Sequence, residues 1–254
     1  VNAWYLRCTP DQVGDRAILV GDRGRVSLLA KWLTDAEWVN HDRGLTTVTG
    51  TYKDGRVTVT AFGMGAPVAV IVLHELARLG VRAVLRLGTM MSLPPTRLGE
   101  YVLADAAIRG EATSGTYVPP DFPAVGDHDL GHAVRTELER TGRPYRAGLV
   151  ASYDGFYTQM FPLDDRSWST FRTSQETWKS LGVLGLDMET SAVLAVGRGL
   201  GVRAASLCLA TVDGPTQQRL DDAAREEGEL ELCRIGLDAL IAAPDLEKHV
   251  DDES

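Results

Sequence analysis

The sequence predicts an α/β fold: a single domain with a central mixed β-sheet flanked by helices. Short apolar runs alternate along the chain with stretches of helical spacing. Several of those runs end in Gly or Gly-Asp, the punctuation of a strand-to-helix turn. The 254 residues are 44% hydrophobic, enough to bury a full core.

The elements follow in order. RAILVG (16–21) reads as a short strand ending in Gly-Asp, with a helix over 26–33 after it. RVTVTAFG (56–63) alternates as a half-buried strand does, and GMGAP breaks it. VAVIVLHELARLG (68–80) is a largely apolar helix closed by Gly80 at its C-cap, and VRAVLRLG (81–88) is the next strand. Residues 57–88 therefore read as a right-handed βαβ unit. Strands at 101–109 and 147–154, a helix over 188–199, a buried strand at 202–212 and a closing helix over 221–241 complete the domain, placed at 1–243. The acidic tail 244–254 is expected to fray.

The net charge of −9 argues against nucleic acid or an anionic membrane as the main partner. Three cysteines (Cys8, Cys208, Cys233) without metal-ligand spacing suit a reducing, cytoplasmic setting. The five histidines form no HExxH-like cluster, so no metal is expected. No signal peptide is apparent, and no apolar run approaches the roughly 18 residues of a membrane span.

In α/β folds, ligands gather at the C-terminal ends of the strands. Gly21, Gly63, residues 86–89, Asp154 and Asp213 all fall there. GDRGRV (21–26) offers backbone N–H groups at a helix start, which suits phosphate, though an ordinary turn is the plainer alternative. It is neither a Walker loop nor a dinucleotide fingerprint. Arg86 interrupts an apolar strand, where a guanidinium needs a partner: either a carboxylate elsewhere in the chain or a bound anion. Glu189 in DMETSA (187–192) is either a capping glutamate or an acceptor for two sugar hydroxyls. In the second role it would also stabilise a cationic sugar centre.

Together these segments resemble the nucleoside phosphorylase-I family over about residues 5–242. GDRGRV resembles that family's GDPxRV loop, RLGT (86–89) its RIGT or RVGS, and DMETSA its EMES or EMEA. VNHDRGLTTVTGTYKDG (39–55) looks like the VNxxRGxxxxTGTYK segment of the hexameric purine branch. FPAV (122–125), YDGFY (153–157) and TQQ (216–218) are closest to the uridine branch. The resemblance implies the same α/β architecture and cleavage of an N-glycosidic bond by inorganic phosphate, a co-substrate, with no other cofactor. It implies a phosphate site of Gly21, Arg25, Arg86 and Thr89, completed by Arg43 from a neighbouring subunit. Met64, Met188 and Glu189 would hold the ribose. Tyr5 aligns where the family usually has a histidine given by the partner chain to the 5′-hydroxyl. Met91, Phe156, Gln159 and Asp187 would face the base. A homo-oligomer, at least a dimer, follows from the shared site.

Four departures concern the base and the 5′ end. Met90, Met91 and Ser92 follow RLGT where the family has small residues; they either reshape the base pocket or pack into the core. FYTQMFP places Gln159 one position early, with no arginine after it, and Pro215 replaces the arginine that usually precedes TQQ. Asp213 either points inward as a general acid or outward to start a turn. Tyr5 for histidine and Asp187 for glutamate change polar contacts, which raises a 5′-modified nucleoside as substrate. The expected activity is phosphorolysis of a uridine-like nucleoside. A purine-type phosphorylase, a hydrolytic nucleosidase and a non-catalytic nucleoside-binding protein are the alternatives.

Overall fold

In the computed structural model, residues 2–244 are described; the tail from 245 onward lies outside them. Ten strands form one mixed sheet: β1 (Arg16–Val20), β2 (Thr34–Asn40), β3 (Thr47–Tyr52), β4 (Gly55–Ala61), β5 (Ala83–Ser92), β6 (Tyr101–Gly110), β7 (Ala124–Val125), β8 (Tyr145–Tyr153), β9 (Gly185–Asp187) and β10 (Arg203–Asp213). The helices are α1 (Arg23–Ala30), α2 (Ala66–Arg78), α3 (His128–Thr141), α4 (Asp165–Ser180), α5 (Thr190–Gly199) and α6 (Asp222–Ala242).

The strand order is β10-β6-β8-β9-β5-β1-β4-β3-β2, with β7 on β6. β10 also pairs with β5 in parallel, from Ala83↔Arg203 to Ser92↔Asp213. The path β5-β9-β8-β6-β10 thus closes on itself, while β1, β4, β3 and β2 extend from it as an open wing. The expected unit over 57–88 is wider than adjacent strands would make it. β4 and β5 both pair in parallel with β1, which lies between them.

β1 shows why its sequence is apolar throughout. Ala17 and Leu19 pack with α2 and α5, while Ile18 and Val20 pack on the other face with α1 and α6. Leu85 and Leu87 share the second face, so Arg86 projects from β5 toward the first, where α5 begins. Arg16, at the start of β1, donates to the carbonyls of Leu240 (2.7 Å) and Ala243 (2.9 Å) and so satisfies the C-terminal end of α6.

Some boundaries differ from expectation. α1 begins at Arg23 rather than 26, because Asp22 caps it by accepting the Gly24 N–H at 2.8 Å. Gly80, with φ +101°, lies one residue beyond the α2 cap. β5 continues to Ser92, which puts Met90 and Met91 inside the strand. Among the described residues, no helix is long and apolar enough to cross a membrane.

Candidate active site

Arg86 is the centre of the site. It is 3% exposed, and two carboxylates face it, Asp187 at the end of β9 and Glu189 at the N-cap of α5. Its Nη2 donates to Glu189 Oε2 at 2.5 Å, and its Nη1 lies 3.0 Å from Asp187 Oδ2. Nη1 also donates to Cys208 Sγ at 2.8 Å, and to the hydroxyls of Thr190 and Ser206 at 3.4 Å. Burial pushes the Cys208 thiol above its ordinary range even against the neighbouring guanidinium, so the sulfur is a neutral acceptor. Burial disfavours the charged form of Arg86, yet the facing carboxylates of Asp187 and Glu189 hold its pKa above the ordinary arginine value. Of its donors, Nε is buried and has no partner among the described residues.

Gly88 makes this geometry possible. Two residues along β5, on the same face, a Cβ would lie 2.4 Å from Arg86 Nη1 and 2.8 Å from its Cζ. The guanidinium folds back over a position that only glycine leaves open.

Glu189 is buried and divided between two partners. Its Oε1 accepts the backbone N–H of Gly65 at 2.6 Å, while Oε2 holds Arg86. Gly63 (φ +83°) and Gly65 (φ +95°) adopt backbone conformations that L side chains rarely take, and the turn they form aims an amide at the carboxylate. Met64 between them is 83% exposed, and Met188 is half-buried against the cluster around Met91 and Leu186.

The residues expected at the phosphate site lie on neighbouring segments. Gly21 accepts the N–H of Gly63 at 3.0 Å, and a Cβ on Gly21 would meet that residue's carbonyl oxygen at 2.8 Å. Arg25 is buried, donating to the Leu87 carbonyl at 3.0 Å and to Glu229 Oε2 on α6 at 3.2 Å. Thr89 is half-buried on β5 opposite Leu209.

Other expected residues lie differently. Tyr5 and Arg43 come together at a shallow surface cavity of about 70 Å³ lined with Trp4, Arg7 and Asp42. The Arg43 guanidinium sits 5.4 Å from the Tyr5 ring centroid, and Arg43 has φ +55°. Glu75 of α2 pins this segment by accepting the N–H groups of Tyr5 and Leu6, both at 2.8 Å. Phe156 and Gln159 lie in a single wide helical turn, Phe156–Met160. Phe156 is 41% exposed, while Gln159 Oε1 is used locally by the Gly155 N–H at 2.9 Å.

Three placements correct the expected arrangement. Asp187 does not face an open base pocket: it accepts from Ser152 Oγ at 2.5 Å, from the N–H and hydroxyl of Thr190, and from Arg86. It is a buried anchor for Arg86. Met90 and Met91 take the packing alternative, each 4% exposed within the core. Asp213 takes the turn alternative, accepting from the Thr216 N–H at 3.0 Å and from its hydroxyl at 2.5 Å. Both bonds fall on Oδ2, so one oxygen of this carboxylate starts the 213–216 turn.

The sequence reading missed Gly65, Gly88, Ser152 and Glu229. The glycine pattern GMG was a signal for the first. Ser152 and Glu229 carry no local pattern, because their partners lie far along the chain.

The site thus sets a buried arginine of β5 against a buried glutamate at the start of α5 within a mixed α/β sheet. The sequence profile of the phosphorylase superfamily matches residues 15–242, so the chain belongs to that superfamily. A guanosine phosphorylase from Halorubrum lacusprofundi is 32% identical over 211 residues, covering 83% of this chain and 82% of the relative. A uridine phosphorylase from Haemophilus influenzae is 30% identical over 247 residues, covering 95% and 98%. The crystal structure of a uridine phosphorylase from Vibrio fischeri ES114 superposes with a TM-score of 0.85 at 28% identity, covering 94% of this chain and 97% of that one.

Proposed function

We propose that this protein is a phosphate-dependent nucleoside phosphorylase acting on a uridine-like nucleoside. The observation that carries the reading is the buried Arg86 guanidinium, with an unpartnered Nε beside a glutamate that also holds the Gly65 amide. Phosphate is the anion that such a donor set suits, with Gly21 following β1, Arg25 on α1 and Thr89 on β5.

In the proposed reaction, a phosphate oxygen bonds to the anomeric carbon as the C–N bond breaks. The bonding pair leaves with the base nitrogen. Arg86 orients the nucleophile, and Glu189 accepts from the ribose hydroxyls while positive charge peaks on the sugar. Met64 and Met188 flank the sugar, and Phe156 lies toward the base. Asp187 acts through Arg86 as a positioning residue. The products are free base and ribose 1-phosphate.

The subunits are proposed to assemble at least as dimers, with Tyr5 and Arg43 of one chain completing the site of the next. Their surface position, beside a Trp4 that is 81% exposed, supports this. Three free, buried thiols favour the reducing cytoplasm as its location.

The test is a panel of pyrimidine and purine nucleosides assayed with and without phosphate, measuring base and ribose 1-phosphate. Release that requires phosphate is the expected result. Release without phosphate would instead indicate a nucleosidase, and saturable binding without release a binding protein.

A further inference from the structure

The segment that leaves β10 carries two side chains with no role in the preceding scheme. Gln217 has φ +59° and folds its amide back over the turn. Its Nε2 donates to the Gly214 carbonyl at 2.8 Å and lies 4.0 Å from Met91 Sδ. That bond fixes which way the amide points, since the reverse orientation would set two oxygens against each other. Oε1 is left buried with no hydrogen-bond partner. Two residues on, Arg219 bridges Val212 through its backbone and lies 5.4 Å from the Phe161 ring centroid. Phe161 stacks on Phe156 at 5.9 Å and 7°. Phe161, Val212 and Met188 pack against the cluster that contains Met91. A buried, unpaired acceptor and an exposed cation from one short segment thus lie beside the cluster that holds Met91, Met188 and Phe161.

We infer that Gln217 and Arg219 read the edge of the leaving base and select bases in which a ring N–H adjoins a carbonyl. The inference rests on the phosphorylase reading. Gln217 Oε1 accepts the ring N–H, and the Arg219 guanidinium donates to the neighbouring carbonyl oxygen. Uracil and guanine both present that pair of groups. Cytosine and adenine present a ring nitrogen lone pair beside an amino group, which sets acceptor against acceptor at Gln217 and donor against donor at Arg219. The arginine also meets negative charge that spreads onto the carbonyl oxygen as the C–N bond breaks. It offers a cation to a base region whose family arginines, before TQQ and after the Phe-Tyr pair, are absent from this chain.

The experiment compares uridine with 3-methyluridine and guanosine with 1-methylguanosine, each with phosphate, in the wild type and in Gln217→Leu, Gln217→Asn and Arg219→Ala. The wild type should prefer the unmethylated member of whichever pair it turns over by at least about tenfold in kcat/KM. Gln217→Leu should shrink that ratio about tenfold by loss on the unmethylated member alone. Gln217→Asn tolerates the left-handed backbone and shortens the reach, so it should do the same even if the leucine variant folds poorly. Arg219→Ala, at an exposed position, should lower kcat/KM for the unmethylated member about tenfold. Methylated and unmethylated nucleosides used equally by the wild type, or a ratio unchanged in all three variants, would overturn the inference. If no nucleoside is turned over with phosphate, the phosphorylase reading fails, and calorimetric binding of the same four compounds decides. An N–H preference lost in the Gln217 variants then supports edge reading, and no preference or no binding overturns it.

Discussion

Gly88 and Arg86 show how closely a single position can govern a charge. An alanine at 88 would press its methyl group onto Arg86 Nη1, and the guanidinium has no free direction in which to yield between Asp187 and Glu189. Gly88→Ala should cost about 1–3 kcal/mol of stability in denaturant unfolding and lower phosphate-dependent activity. Arg86→Ala strands two buried carboxylates, so a loss of about 3–5 kcal/mol is expected, together with loss of phosphate dependence. Unchanged kinetics in that variant would remove Arg86 from the anion site. Arg86 was legible in the sequence because a guanidinium inside an apolar strand demands a partner. Which partner it has in this structure was not legible, since Asp187 and Glu189 lie on another element about a hundred residues away. Asp213 was left open for a similar reason: only the fold decides whether its carboxylate turns to Thr216 or inward.

Among the elements, those that cross the interior were readable, and those that edge it were not. β1, β5 and β10 are buried along most of their length and read as continuous apolar runs. β2 is mostly exposed and β9 spans three residues, so neither carries an alternating pattern. α4 buries only Phe171 and Trp178, and α3 hides its apolar stripe, Leu130, Ala133, Val134 and Leu138, among charged residues. α6 is tied to the open wing through Asp238, which accepts from Tyr52 Oη at 2.9 Å and from Lys53 Nζ at 2.6 Å, and from Arg140 on α3. Burial works against the Asp238 carboxylate, but the Lys53 and Tyr52 hydrogen bonds outweigh it and hold its pKa below the ordinary value. A depressed folded-state pKa stabilises the protein above the unfolded value of about 3.9, and that stabilisation is lost as the pH falls further. Asp238→Asn should therefore lower the unfolding midpoint at pH 7, and the gap from wild type should narrow below about pH 4. A gap independent of pH would show that charge at this position does not matter.

For the whole molecule, the question is what one chain contributes to another. Tyr5 and Arg43 form a pre-assembled pair at the surface, held by Glu75, while Glu189 lies buried in the interior. If Arg43 acts across the interface, Arg43→Ala and Glu189→Gln impair different subunits of the same site. Each variant alone should be nearly inactive. Co-expressed, they should regain about a quarter of wild-type activity, because half of the dimers are mixed and each mixed dimer holds one intact site. No recovery would place Arg43 in its own chain's site, and an active Arg43→Ala variant would place it outside any site.

The closure of β10 onto β5 also sets the order in which the molecule comes into being. Arg86 emerges from the ribosome early, yet Glu189 follows 103 residues later and Cys208 later still. At about 5–20 residues per second, the arginine spends roughly 5–20 s of synthesis without the carboxylate that neutralises it. Until Glu189 is made, the nascent chain therefore carries a cation in an apolar strand that cannot be buried cheaply. Docking of β9 and the start of α5 then completes the charge pairing, docking of β10 closes the sheet, and translation pauses after β5 would lengthen the exposure of that strand.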